Sequence, residues 1–356
     1  MGALSKTFAG TCVAALSLTG AVLVGGADAA PHATTVHKAG SANVASRAVS
    51  ARVAADAKGY WTPRRMAHAK PVRVHPTSSA PITSGAAGTR VGKPVTVKPT
   101  LGSSGTTGSG IEPLSASAVP RPYTNAPDKM NVKVFFTKAT GGNFVCSGTV
   151  VNSSTKRMVA TAGHCVSDGL GRFHKNVVVV PAYASASPSN SSRPFGTWTA
   201  RTLATTTEWH NFSNFKQDMG YIVLNDLGGK RIVNVVGGQG TKFNIARQQF
   251  FNSFGYPQAA PFNGLSQFVC PSARTADDNP TTRSGPLTLR ISCNMTGGAS
   301  GGGWLVNLSG STGLGFVNSV NSYKYVSGPK ANVNDMYGPY FGSQALSLFN
   351  FAVSLG

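Results

Sequence analysis

Acidic residues are scarce: 11 Asp and Glu stand against 32 Lys and Arg in 356 residues, giving a formal net charge of +21. Such a charge raises nucleic acid as a partner. The basic residues are scattered, however, without interleaved aromatics or a binding motif, so no nucleic-acid role is expected. About 12 of them lie in Ala30–Arg121 against two acids, Asp56 and Glu112, so roughly half of the excess belongs to one segment. Solubility and loose attraction to anionic material or acidic substrates account for the rest. Long apolar runs are scarce as well. Phe8–Gly25 is uncharged and apolar, but it is near the lower length limit for spanning a bilayer and is diluted by Gly, Ser and Thr. With Lys6 before it and Ala27-Asp28-Ala29 after it, Met1–Ala29 reads as a secretory signal cut after Ala29; cleavage after Ala30 would put Pro31 across the scissile bond. No stable membrane insertion is expected once the signal is removed.

Cysteine is sparse, with five in the chain. Cys12 falls in the signal, which leaves Cys146, Cys165, Cys270 and Cys293. No pair has the two-to-four-residue spacing that zinc favours, so no metal site is expected. An even number in an exported chain points to two disulfides. Three pairings are open; the local one, Cys146–Cys165 with Cys270–Cys293, would stabilise by roughly 3 kcal/mol per bridge through loop closure.

Large apolar residues are rare in Ala30–Pro120, so residues 30–122 are expected to be a largely disordered pro-segment and linker, with a Gly/Ser/Thr tract at Leu101–Gly110. The exception is Gly59–Met66, GYWTPRRM, whose aromatics and methionine suggest a docking patch. Residues 123–356 have a different character. Short apolar runs alternate with turn residues at Asn131–Thr137, Met158–Thr161, Asn176–Pro181, Gly220–Leu224, Arg231–Val236, Phe250–Gly255, Leu287–Cys293, Gly303–Leu308 and Thr312–Asn318. That spacing predicts strands of an all-β barrel or sandwich. At Gly342–Leu355, Leu346, Phe349 and Val353 have helical spacing and predict a terminal helix.

Three segments carry chemistry. In MVATAGHCV (Met158–Val166) a β run leads to a turn that presents His164. In QDMGYIVL (Gln217–Leu224) the isolated Asp218 precedes an apolar strand, and in MTGGASGGGW (Met295–Trp304) Ser300 sits in a glycine-rich turn. A serine hydroxyl is a weak nucleophile at neutral pH and needs an imidazole to take its proton. A buried carboxylate fixes the imidazole tautomer. Glycines around the serine let amide N–H groups converge on a developing oxyanion, here those of Gly298 and Ser300. The serine motif alone carries little weight among 42 glycines, and a lone Asp before a strand is commonly a cap. The order His, Asp, Ser, with spacings of 54 and 82 residues, is what makes the set specific.

These segments resemble the catalytic segments of the chymotrypsin-fold serine peptidases, and within them the bacterial secreted trypsin-like and glutamyl-endopeptidase-like enzymes. Phe135-Phe136-Thr137, Cys146-Ser147-Gly148 and Phe254-Gly255-Tyr256-Pro257 are similar to that group, and Tyr60-Trp61-Thr62-Pro63 is similar to its pro-segments. The likeness spans about Lys129–Ser354. It implies two antiparallel six-stranded β-barrels with His164 and Asp218 from the first and Ser300 from the second. Departures bear on activation and specificity. Ala299 stands where the animal enzymes carry the Asp that pairs with a new N-terminus. Gly303 replaces a frequent Pro, Asn294 stands where trypsin-like enzymes hold an Asp, and Val317 or Asn318 stands where glutamyl endopeptidases place a His. Asn294, Thr296, Val317, Asn318 and Ser319 are the candidates for the pocket wall.

The expectation is therefore a secreted, monomeric serine endopeptidase acting on polypeptides through an acyl-enzyme, without cofactor. Two competing classes are a catalytically silent extracellular binding protein of the same fold and a serine esterase. Esterase folds order the triad Ser, Asp, His, unlike this chain. His174 and His210 are expected to be loop residues rather than ligands.

Overall fold

The computed structural model describes residues 34–39, 42–76, 80–82, 92–103, 116–187 and 190–356. The chain divides into Met1–Pro31, which lies outside the described residues together with the expected signal, and His32–Gly356. Among the described residues no helix is long and apolar enough to cross a membrane.

The N-terminal part supplies strands β1 (Thr34–Ala39) and β2 (Ala42–Ala48), helices α1 (Ala51–Tyr60) and α2 (Pro63–Ala67), and short strands β3 (Lys70–Pro71), β4 (Val95–Val97) and β5 (Ser117–Ala118). Next come β6 (Asn131–Thr137), β7 (Asn143–Val151), β8 (Met158–Thr161), β9 (Lys175–Pro181), the hairpin β10 (Ala184–Ser187) and β11 (Asn190–Ser192), β12 (Trp198–Thr206), α3 (Thr207–Phe212) and β13 (Gly220–Leu224). After α4 (Ile232–Val236) follow β14 (Gly240–Phe243), β15 (Phe250–Gly255), β16 (Phe268–Asp278), β17 (Thr288–Ser292), β18 (Gly303–Val306), β19 (Phe316–Val320), β20 (Asp335–Gly338) and α5 (Ser343–Ser354).

Strands β6, β7, β8, β13, β12 and β9 pair antiparallel in that order, and β9 returns to β6, closing a six-stranded barrel. The second sheet runs β20-β17-β16-β15-β18-β19-β14-β4, antiparallel except for the parallel β19–β14 pair. A bridge between Tyr323 and Tyr337 joins the chain that leaves β19 to β20. The chain is thus all-β with a terminal helix, as expected. In α5 the buried face is Ala345, Leu348, Phe349 and Ala352, while Leu346 and Val353 are half-buried.

The expected strand at Arg231–Val236 is helix α4 instead. Ile232, Val233 and Val236 are buried at helical spacing, and Gly237 at φ +84° ends the turn. A short apolar run fits either element, and tertiary packing decides. The strand placed at Thr312–Asn318 begins at Phe316, because Ser309–Gly313 close a turn first.

The described part of residues 30–122 packs against the β domain. Strand β2 pairs with β12, from Ala48 opposite Thr202 to Val44 opposite Thr206, and so extends the first sheet. Ser50 and Thr62 cap α1 and α2 through their hydroxyls, and Pro63 opens α2. The island at Gly59–Met66 is docked. Ala57, Trp61, Met66 and Ala69 form one buried cluster with Phe135, Val145, Val178, Val180, Tyr183 and Tyr256. Trp61 Nε1 donates to Asn176 O at 2.5 Å, and Tyr60 Oη donates to Asn143 Oδ1 at 3.0 Å. The reason is visible in β9, which carries valines on both faces, and in β6, whose outward face carries Phe135 between Lys133 and Thr137. Val132, Val134 and Phe136 fill the barrel, whereas Phe135 and Val178 point out and need a cover.

Candidate active site

His164 stands on a 3₁₀ turn, Gly163–Cys165, directly after β8. The disulfide Cys146–Cys165 ties this turn to β7, with Cα atoms 6.0 Å apart. Cys270–Cys293 joins β16 to the chain after β17, so the local pairing forms. Cys146, His164 and Cys165 cluster closely enough to suggest metal ligands, but both sulfurs are spent in the disulfide.

Asp218 caps the 3₁₀ turn Phe215–Gln217 just before β13 and is fully buried. Thr206 Oγ1 donates to Gln217 O and Thr205 Oγ1 to Met219 O, each at 2.8 Å, which fixes the backbone on both sides. The carboxylate accepts three bonds. His164 N donates to Oδ1 at 2.8 Å, His164 Nδ1 to Oδ2 at 2.8 Å, and Ser322 Oγ to Oδ2 at 2.5 Å. An acceptor on Nδ1 requires the proton there and leaves the Nε2 lone pair free. His164 Nε2 is buried without a hydrogen-bond partner among the described residues, a state that calls for a functional reason.

Ser300 lies in the loop between β17 and β18, where Gly298 (φ +104°) and Gly301 (φ +82°) adopt conformations that side chains disfavour. A side chain at 301 would also meet Thr161 Oγ1 and Ser147 O. Polar clamps hold the loop. Ser147 Oγ donates to Gly298 O at 2.9 Å while accepting from Tyr256 N, and Ser147 N donates to Ser300 O at 2.7 Å. Asn321 Nδ2 donates to Phe254 O and Ala299 O. The motifs at Cys146–Gly148 and Phe254–Pro257 therefore meet at the serine loop. Cys165 Sγ lies 3.6 Å from Ser300 O, which sets the serine segment beside the histidine turn. The N–H groups of Gly298 and Ser300 donate to nothing among the described residues.

A cavity of about 640 Å³ opens at Ser300, with Asn294, Thr296, Gly297, Ser322 and Lys324 among its walls. Among the described residues no carboxylate lines it. Asn294 and Thr296 line this cavity, whereas Val317, Asn318 and Ser319 are buried within β19, where Asn318 Nδ2 donates to Lys242 O and Ser319 Oγ to Pro339 O. The wall is formed instead by the chain that leaves β19, Ser322–Val326. Lys324 Nζ spans the pocket to Cys293 O and Val333 O, and burial pushes it down to about 8.

Sequence reasoning also missed Ser322 and the segment Val72–His75, which lines this cavity; neither carries a motif. His174 lies in the connection before β9, as expected, but His210 lies in helix α3, and both are buried. His174 Nε2 donates to His164 O at 3.1 Å, and His210 Nδ1 contacts Ser167 Oγ at 2.7 Å.

A closed six-stranded barrel and a second sheet, with an aspartate-bound histidine and a glycine-bracketed serine between them, define the chymotrypsin-like class. The chain belongs to the bacterial serine proteases of this fold. It is 42% identical to the protease Anisep from Arthrobacter nicotinovorans, over 65% of this chain and 98% of that one, with a TM-score of 0.57. It is 39% identical to the thermostable serine protease AL20 from an extremophilic microorganism, over 64% and 99% of the two chains, with a TM-score of 0.55. No family model and no curated protein matches the sequence.

Proposed function

We propose that the chain is a secreted serine endopeptidase in which His164, Asp218 and Ser300 form the catalytic triad. The observation that carries this reading is the buried Asp218–His164 pair, which leaves His164 Nε2 with a free lone pair beside the serine loop. Ser300 Oγ attacks the carbonyl carbon of the scissile bond while His164 Nε2 takes its proton. Asp218 stabilises the imidazolium, and the negative oxygen is held by the N–H groups of Gly298 and Ser300. Collapse expels the amine, which takes the proton back from His164. Water, activated by the same imidazole, then hydrolyses the acyl-enzyme and regenerates Ser300.

The pocket holds Asn294 and, among the described residues, no carboxylate to pair with a Lys or Arg side chain. Export follows from the signal-like Met1–Ala29, and two disulfides fit an oxidising destination. The mature enzyme starts near Tyr123. In support, the relatives align over 65% of the 356 residues, a length that fits residues 123–356.

Secreted, processed material should cleave a peptide library, and a Ser300→Ala control should cleave nothing. Equal cleavage by both would remove Ser300 from the mechanism. No cleavage by either, from folded material, would favour the silent binding protein.

A further inference from the structure

Asp278, at the end of β16, is a buried carboxylate that the mechanism above does not use. Its Oδ2 accepts from Tyr323 Oη at 2.7 Å and from Tyr325 Oη at 2.8 Å, and its Oδ1 pairs with Lys330 Nζ at 2.5 Å. All three partners lie on one stretch of chain, residues 321–334, which connects β19 to β20. That connection also supplies much of the wall of the cavity at Ser300, through Ser322–Val326 and Ala331–Asn334. Asp278 and Lys330 themselves do not line the cavity. We infer that Asp278 is a positioning residue for substrate: its carboxylate holds this wall in the shape that receives a polypeptide, without touching the reacting atoms. The inference rests on the peptidase reading above and names what shapes its peptide-binding surface.

The outer part of the connection cannot shape itself by burying side chains. Residues 326–329 and 331–334 are exposed, Val326 by 62% and Val333 by 77%. Two ammonium groups tie this part down, Lys330 to Asp278 and Lys324 Nζ to Val333 O at 2.6 Å. The inner part is a stack of rings. Tyr323 lies parallel to Tyr337 at 4.8 Å, with Tyr325 edge-on at 5.7 Å and Phe215 at 5.1 Å. Ring contacts set an orientation but resist sliding weakly, whereas hydroxyl bonds to a carboxylate fix a position. Tyr323 Oη also meets Thr288 Oγ1 at 2.7 Å, so the phenol is gripped from β16 and β17 together. Burial and the adjoining carboxylate hold both phenols well above the ordinary tyrosine value, so each keeps the proton that it donates.

A brace for its own sheet would look different. The main chain already pairs Asp278 with Thr288 across β16 and β17, and the carboxylate adds nothing to that pair: its partners all stand on the connection. The reactive end of the cleft is held by other means. Asp218 is fixed by its bonds to His164 and Ser322, and the histidine turn by Cys146–Cys165. Loss of the Asp278 charge therefore loosens the wall while the Asp218–His164 pair stays in place. An extended peptide needs both the wall and a reactive Ser300, because its scissile carbonyl must be aligned by contacts away from the chemistry. A small phosphorylating reagent needs only the reactive serine.

The test compares enzyme secreted and processed from full-length wild-type, Asp278→Asn, Lys330→Ala and Lys330→Arg chains. Two quantities are read: kcat and KM on a peptide that the wild type cleaves, and the rate at which diisopropyl fluorophosphate labels Ser300. Asp278→Asn should raise KM by about tenfold or more, with kcat within about threefold and the labelling rate within about twofold of wild type. Lys330→Ala removes one of the three anchors and should raise KM several-fold. Lys330→Arg keeps a cation within reach of the carboxylate and should restore KM. Should Asp278→Asn fail to fold, the two Lys330 variants carry the same comparison from an exposed loop. Unchanged KM in the alanine variant, or labelling that falls in step with peptide cleavage, would overturn the inference and leave the peptidase standing. A folded wild type that neither cleaves peptides nor takes the label would overturn the peptidase reading, and this inference with it.

Discussion

Asp218 shows how much one buried side chain can organise. Its carboxylate takes a backbone N–H, an imidazole N–H and a hydroxyl, so the histidine turn is held by both its main chain and its ring. Behind it stands His174, stacked on Phe136 at 4.6 Å, accepting from Ala139 N and donating to His164 O. Burial pushes His174 down to about 3. The folded chain thus keeps this ring neutral, whereas the unfolded chain protonates it below its ordinary value of 6.5. Between these values the unfolded state binds more protons, so stability is lost as pH falls, by up to ~1.4 kcal/mol per pH unit. Urea unfolding at pH 7 and at pH 4.5 checks this. His174→Phe should be less stable at pH 7 and should lose less between the two values than the wild type; equal losses would remove His174 from the account. At this scale His164, Asp218 and Ser300 were legible as a candidate set because His and Asp are rare here and the three stand in order along the chain. Ser322 was not, since a serine that bonds Asp218 from 104 residues away leaves no local pattern.

Among the elements, β7, β8 and the turn after them form the unit that carries His164, with Cys146–Cys165 as its cross-link. Removing that disulfide by Cys146→Ala with Cys165→Ala should cost about 3 kcal/mol. In a domain of this size that lowers Tm by about 6–12 °C in calorimetry of the processed enzyme. An unchanged Tm would mean that the strand pairings alone fix the turn. Strands built around short clusters of apolar residues, such as β6, β8, β13 and β15, were legible to the residue. Others were hidden by their composition. Thr-rich β12 and β16, which ends in charged residues, look like loops because their polar side chains face out or pair across the sheet. Val317, Asn318 and Ser319 lie away from the cavity at Ser300 for a related reason. Strand β19 is buried throughout, and the chain begins to face the cleft only where it leaves the sheet at Ser322.

At the scale of the whole molecule, an N-terminal segment that looks too polar to fold is built into the first sheet and the cleft. It contributes few large side chains, but Trp61, Met66 and Val72 all settle on apolar surface that the barrel leaves exposed. Composition predicts that such a segment cannot form its own core, and it does not; it borrows one. The outward Phe135 of β6 and Val178 and Val180 of β9 are the surface that takes this cover.

The central claim is that Ser300 is a nucleophile activated by His164. The most direct measurement is covalent labelling of the processed enzyme with a fluorophosphonate probe, with the modified residue mapped by peptide mass. One label per chain on Ser300, lost in His164→Ala, is the expected result. A folded enzyme that takes no label, or takes it elsewhere than at Ser300, would contradict the account.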